Sequence, residues 1–400
     1  MASKSRTLAS MAAVTVIGIL AYRIGAHVPL PGIALQVPFD EDFLATASML
    51  SGASLTQATF FGLGVMPYIM AQIVMQVLQT CIPAIKRVAK DGAAGRNRIV
   101  QWTRRMTVAF AAVYAVLYLL TANVTIGGID PLLLKVLDGV ILVGGAMALM
   151  RIGEIIDEHG LGQGMSVIIA ASILSQVPSA VSSAIVANDT KAQVAVAAAM
   201  FVVMVPVVVW MERTVKNIKL ARASATVATK VDHYLPVRLI VAGVVPVIFA
   251  SMLRSLPTFV MGFLPITDVN LYFSVYAFMN GWPGLTIEAA LIVLFSFAYI
   301  VIAFDCDEIA ENLAKNGAYI AEAHVRPGRE TAAYIRRVVL QVTVPGAFLL
   351  TVVALMPGVI TMLTGNALVG AIGGTSLIIV ADTVMRIADQ VRAERLVAKH

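Results

Sequence analysis

Two acidic clusters are the first residues in this 400-residue chain that could do acid–base chemistry: Glu154, Asp157 and Glu158, then Asp305, Asp307, Glu308 and Glu311. Paired carboxylates can exchange protons with a substrate. Both clusters fall at the ends of long apolar runs, however, where they read as solvated helix ends. The five histidines, His27, His159, His233, His324 and His400, are scattered and lack metal-ligand spacing such as HExxH. They read as loop or terminal residues. Gly160-Leu161-Gly162-Gln163-Gly164 is rich in glycine but has no Lys-Ser/Thr after it, so it reads as a turn into a closely packed helix and not as a phosphate loop. Cys81 and Cys306 form no CxxC, which leaves a disulfide scaffold or thiolate metal site without support. No catalytic pair emerges. The chain reads as a protein that is not an enzyme and needs no cofactor.

Charge inside an apolar run is the usual sign of an ion or proton pathway. The candidates are Arg23, Asp138, Arg254 and Glu288, each near the end of its run, where a long side chain can reach the interface. No row of carboxylates or arginines marks a midplane path, which weighs against an ion-coupled transporter. The chain offers instead short β-branched stretches beside glycine and proline: Gly64-Val65-Met66-Pro67-Tyr68-Ile69, Gly243-Val244-Val245-Pro246-Val247-Ile248 and Gly373-Gly374-Thr375-Ser376-Leu377-Ile378-Ile379. They admit two readings. Small residues let helices pack closely. Alternatively, aliphatic side chains brought together where helices are interrupted form a constriction that blocks ions by dewetting.

The elements that must position these residues follow from composition. Hydrophobic residues make up 59% and charged residues 13%, against about 45–50% and about 25% in soluble domains. So few charges cannot cover so large an apolar core in water, and lipid must supply part of the solvent. About 20 apolar residues cross a bilayer as a helix. Ten windows qualify: 8–28, 64–84, 106–124, 133–151, 163–186, 192–211, 237–264, 285–304, 338–357 and 367–388. The first leads straight into further chain and reads as an anchor, not a cleaved leader. The charge-free run 338–381 is too long for one span, and Pro357-Gly358 with Gly365-Asn366 supply the expected division. Segment 51–57 is too polar and glycine-broken to face lipid, so a short broken helix tucked inside the bundle is expected there.

Of the 29 lysines and arginines, 25 fall on one side of this ten-span topology: the termini, the loops 86–105, 213–238 and 315–337, and Arg151. The exceptions are Arg23, Lys135, Lys191 and Arg254. The positive-inside rule makes that side cytoplasmic, with both termini on it. The net charge of +6 is thus spread in short interhelical clusters and does not indicate direct nucleic-acid binding. Five spans per half would orient spans 1–5 and 6–10 oppositely, the arrangement of an inverted repeat.

Longer motifs add a family likeness. Tyr22-Arg23-Ile24-Gly25 followed by Pro29-Leu30-Pro31-Gly32, Phe61 through Ile69 with Met75-Gln76, Glu311 through Ile320, Arg326-Pro327-Gly328 and Gly373-Gly374-Thr375-Ser376-Leu377 resemble the SecY family in order and spacing. The resemblance implies an all-α polytopic membrane protein of ten transmembrane helices in two pseudo-symmetric inverted halves, 1–187 and 188–400. Between them it implies an hourglass channel, opening sideways to lipid between the second and seventh spans. It implies a plug near 48–62 and cytoplasmic loops at 213–238 and 305–337. Carried over residue by residue, the pore ring falls on Val65, Ile69, Met165, Ile169, Ile248 and Ile379, the lateral gate on Gln76, and partner engagement on Arg326. All six ring positions are apolar, as dewetting requires, and a flexible methionine at 165 still suits a pliable ring.

The implied partners are a SecE-like subunit, a SecG-like third subunit, a SecA-type ATPase or the ribosome, unfolded preproteins and membrane lipid. The implied location is the bacterial plasma membrane. Two features depart from the family pattern. Lys216-Asn217-Ile218-Lys219-Leu220-Ala221-Arg222-Ala223-Ser224 stands where an Arg-Arg-Ile-Pro-Val-type stretch is usual, and Asp382 follows Ile379 about one turn early. They keep open an accessory Sec channel dedicated to a few secreted substrates. From another class, a secondary transporter for a small solute would need a polar midplane site.

Overall fold

The computed structural model describes residues 8–31, 33–35, 59–120, 122–124, 130–186, 191–222, 233–240, 243–263, 269–303, 306–315, 318–320, 328–364 and 373–397. Helices dominate. In chain order they are α1 (Leu8–Gly25), α2 (Met66–Cys81), α3 (Pro83–Lys90), α4 (Gly92–Leu120), α5 (Pro131–His159), α6 (Gly164–Val186) and α7 (Lys191–Arg213). They continue with α8 (Val245–Phe263), α9 (Val269–Asn280), α10 (Trp282–Ala303), α11 (Cys306–Lys315), α12 (Arg329–Thr364) and α13 (Gly374–Val397). Pro67, Pro83 and Pro131 lie in the first turns of their helices, where a missing N–H leaves no bond unmade.

Each of the ten apolar windows carries a helix. Among the described residues, five helices are by themselves long and apolar enough to cross a membrane: α1, α4, α5, α10 and α12. The sharply bent pair α2–α3 adds a sixth if counted as one span. The chain is an all-α polytopic membrane protein. Its exposed large apolar side chains, such as Ile17, Leu132, Val140, Leu294 and Phe348, suit lipid and not water.

Four features differ from the sequence reading. First, Pro357-Gly358 does not divide the long run: α12 continues through Pro345 and Pro357 to Thr364, and the expected Gly365-Asn366 turn lies outside the described residues. Pro357 has no N–H to give the Val353 carbonyl one turn back, and Gly374 of α13 packs directly against the carbonyl oxygens of Val353 and Ala354. Second, a 12-residue helix, α9, was not expected; at about 18 Å it is too short to span.

Third, the loops 213–238 and 305–337 are not separate solvated loops. Strands β3 (Val215–Arg222), β4 (His233–Arg238) and β5 (Ala318–Ile320) form one antiparallel sheet in the order β4-β3-β5. Ile218, Val237, Ile320, Cys306 and Ile335 bury between this sheet, α11 and the start of α12. A further two-stranded ladder joins β1 (Ile33–Leu35) to β2 (Ala122–Val124).

Fourth, Glu154 is not a solvated helix end. Its carboxylate takes Arg104 Nε at 2.6 Å and Arg151 Nη1 at 2.8 Å. Its neighbour Asp157 accepts the Gly164 N–H at 2.7 Å, which fastens the turn between α5 and α6. Gly164 sits against the Gly153 backbone, so this turn is as closely packed as its glycines suggested. At the other acidic cluster, Asp307 meets Arg336 at 3.3 Å, and Lys315 bonds Glu311 at 2.8 Å; that bond and the nearby ammonium hold the Glu311 carboxyl below its ordinary range.

One packing joint anchors the chain just before α2. Phe61 is buried, stacks on Tyr22 at 6.2 Å, and fills the space beside Gly25, where any Cβ would strike its ring. Phe60 donates its N–H to the Val28 carbonyl at 2.8 Å, and its own carbonyl packs on Gly145 of α5. Replacing Phe61 with alanine is expected to cost about 3–5 kcal/mol, the usual range for emptying a packed aromatic site. Equilibrium unfolding of the purified chain in micelles measures it.

Candidate functional site

Among the described residues a left-handed glycine lies one or two residues before five helices: Gly64 (φ 53°) before α2, Gly162 (φ 82°) before α6, Gly243 (φ 61°) before α8, Gly373 (φ 57°) before α13, and Gly328 (φ 110°) before α12, which carries no expected ring position. Only glycine takes this conformation freely. It lets the chain turn abruptly into each helix, and every aliphatic position expected at the ring lies within two turns of such a start. Ile69 and Val65 belong to the start of α2, Met165 and Ile169 to α6, Ile248 to α8 and Ile379 to α13.

All six side chains belong to one large apolar cluster, which also takes in residues of α1, α5, α7, α10 and α12. Val65, Ile69, Ile169 and Ile379 are 1–5% exposed within it, and Met165 and Ile248 pack against it half-buried. Met165 lays its thioether on Gly153 of α5, where a Cβ would come within 2.8 Å of the sulfur. The cluster draws on elements from both halves of the chain. α6 runs along α13 in broad contact, whereas α2 against α10 and α4 against α8 touch only narrowly. α6–α13 is thus a firm joint, and the α2–α10 and α4–α8 contacts mark a thin seam. Ordinary packing explains burial; it does not require four helices to begin beside the same cluster.

The intramembrane charges lie elsewhere than the sequence reading placed them. Arg254 and Glu288 do not snorkel. Arg254 Nε lies 3.2 Å from Glu288 Oε2, and Arg254 Nη1 donates to the Met279 carbonyl at 3.2 Å. Ser251 donates to Glu288 Oε1 at 2.7 Å and lies 3.2 Å from the Thr375 hydroxyl, so α8, α10 and the start of α13 share one buried polar knot. Asp138 is fully buried, because it shares the stripe of α5 that carries Leu134 and Leu142 against α4, and neither of its carboxylate oxygens has a hydrogen-bond partner.

Gln76 is half-buried on α2, the helix that meets the thin seam at α10. Of the expected plug, residues 59–62 are described and belong to the Phe61 joint; 48–58 lie outside the described residues, as does Arg326. The sequence reading missed Glu212 entirely and noted Asp382 only as a departure in spacing. Both are buried, and Asp382 holds Arg386 one helical turn on, at 2.8 and 2.9 Å. The i, i+4 spacing of Asp382 and Arg386 was the available signal.

Comparison with known proteins extends over nearly the whole chain. The SecY family model matches residues 59–388. The protein translocase subunit SecY of Mycoplasma pneumoniae is 30% identical over 405 residues, covering 95% of this chain and 84% of the relative. A solved structure described as that of a protein-conducting channel superposes with a TM-score of 0.73 at 18% identity, covering 99% of this chain and 94% of the other. Sec61 from a canine ribosome–channel complex gives 0.67 at 17% identity, with coverages of 99% and 94%. With its interrupted helices gathered around one apolar cluster and a family match over most of its length, this chain belongs to the SecY family.

Proposed function

We propose that this chain is the pore-forming subunit of a protein translocase, a channel through which unfolded polypeptides cross the membrane and from which apolar segments leave sideways into lipid. One observation carries the reading: the six apolar side chains lie at the starts of four helices from both halves and belong to one apolar cluster. Such a collar excludes water and ions when closed. Being made of side chains and not of backbone, it yields around a passing chain.

In this reading Val65, Ile69, Met165, Ile169, Ile248 and Ile379 form the pore ring, and the plug occupies 48–62. Gln76 faces a lateral gate at the thin seam. The halves 1–187 and 188–400 move about the α6–α13 joint. The membrane is the bacterial plasma membrane, and the lysine and arginine asymmetry places both termini in the cytoplasm. The partners are a SecE-like subunit, a SecG-like third subunit, and a SecA-type ATPase or the ribosome engaging the loop that carries Arg326. Sec61, the structural neighbour quoted above, was solved in a ribosome complex, which supports a ribosome contact. Energy comes from those partners.

The test replaces Ile69, Ile169, Ile248 and Ile379 with serine. A channel becomes leaky. A secondary transporter loses uptake without gaining an open conductance.

A further inference from the structure

A cavity of about 410 Å³ opens where the α5–α6 turn meets the end of α7, strand β4 and α13. Its walls include Gly162, Glu212, Arg238, Arg386, Asp389 and Gln390. Four of the charges in and beside it are matched in pairs. Arg386 Nε lies 2.9 and 2.8 Å from the two oxygens of Asp382, and Arg238 Nη2 lies 3.2 Å from Asp389 Oδ2. Gln390 accepts the Gly162 N–H at 2.8 Å. Glu212 is 6% exposed and lines the cavity; Arg386 and Arg238 attract its charge, yet its Oε1 has no hydrogen-bond partner. A buried carboxylate oxygen without a hydrogen bond is costly to the fold, and the three carboxylates in and beside the cavity, Glu212, Asp382 and Asp389, outnumber its two arginines, so the site is suited to receive a further cation.

We propose that this cavity is a binding site for a basic side chain, a guanidinium or ammonium group, presented by a partner polypeptide that docks across the α5–α6 turn and α13. The proposal does not depend on the channel reading. An inorganic cation fits poorly. Divalent ions demand several oxygen ligands, whereas the other carboxylates here are already committed to arginines. A guanidinium is satisfied by one carboxylate through a forked, charge-assisted contact, and the space is large enough for the side chain that carries it. The cavity also takes its walls from both sides of the α6–α13 joint, so an occupant bridges the two halves where they are already most firmly joined.

The test uses the purified full chain in micelles, with arginine amide as probe and uncharged citrulline amide as control. Arginine amide is expected to raise the unfolding temperature saturably, and citrulline amide to leave it unchanged. Glu212→Gln is expected to weaken the apparent affinity by about tenfold or more, as loss of one charged hydrogen-bonded contact does. Glu212→Asp should keep the response. Equal response in Glu212→Gln, or an equal effect of magnesium or potassium chloride at matched ionic strength, overturns the proposal. Should Glu212→Gln fail to fold, carbodiimide coupling of a lysine-containing peptide to the native chain decides it. An amide mapped to Glu212 by mass spectrometry supports the site, and its absence overturns it.

Discussion

Serine at Ile69, Ile169, Ile248 and Ile379 together is expected to turn the resting protein into an open conductance. These four residues lie at the starts of α2, α6, α8 and α13 and belong to one cluster with Val65 and Met165. A closed collar resists ions because water does not wet it, and an ion without water cannot pass. Burying an isoleucine is worth about 1.5–3 kcal/mol relative to water, and serine replaces that aversion with a hydroxyl that bonds water. Lowering the barrier by only about 1.4 kcal/mol multiplies the rate about tenfold. Four substitutions exceed that, so efflux of small ions from proteoliposomes should rise by at least about tenfold. The variant should fold, because the Phe61 joint and the Arg254–Glu288 knot lie outside the changed side chains. Single replacements should leak less than the set, since the remaining aliphatics still close on one another. Unchanged efflux from a folded quadruple variant would mean that the cluster is ordinary core.

The second large effect is on stability. Arg254→Met should cost about 3–5 kcal/mol, because it leaves the Glu288 carboxylate charged, buried and without its counter-ion. Changing both Arg254 and Glu288 to methionine should recover most of that loss, since an apolar pair of similar volume needs no solvation. Unfolding of the two single variants and the double variant in micelles gives the coupling directly. A double variant no more stable than Arg254→Met would show that the knot stabilises through its hydroxyl partners Ser251 and Thr375 and not through the ion pair.

The same two groups show what was legible in the sequence. The abrupt helix starts were legible because their cause is local: glycine beside β-branched residues at Gly64-Val65 and Gly243-Val244 marks an interrupted apolar helix, and the structure puts each of those glycines at positive φ. The family likeness then selected particular positions in those helices. The Arg254–Glu288 pair was not legible, because each residue alone looks like a charge near a helix end, and only the packing of α8 on α10 brings them together. The sheet built from 213–238 and 318–320 left a partial trace. Ile218 and Leu220 alternate with Asn217 and Lys219, a two-residue period that the lysine and arginine at Lys216 and Arg222, on the same face as the aliphatics, obscured. Its third strand joins across about a hundred residues of chain, a pairing set by tertiary contact. Pro357 misled for a physical reason. In water a mid-helix proline ends or kinks a helix, whereas α12 runs on through Pro357, with Gly374 of α13 packed against the Val353 carbonyl that the proline leaves without an N–H.

The dry cluster at the meeting of α2, α6, α8 and α13 is held to be the passage itself. The most direct measurement places a photo-crosslinking amino acid at Ile69 or Ile248 and arrests a secretory polypeptide midway across the membrane. The expected result is a crosslink between either position and the arrested chain, lost when the chain is released, with no such crosslink from the exposed Leu132 on α5. Crosslinks from Ile69 and Ile248 only to neighbouring helices or lipid, while the polypeptide still crosses, would contradict it.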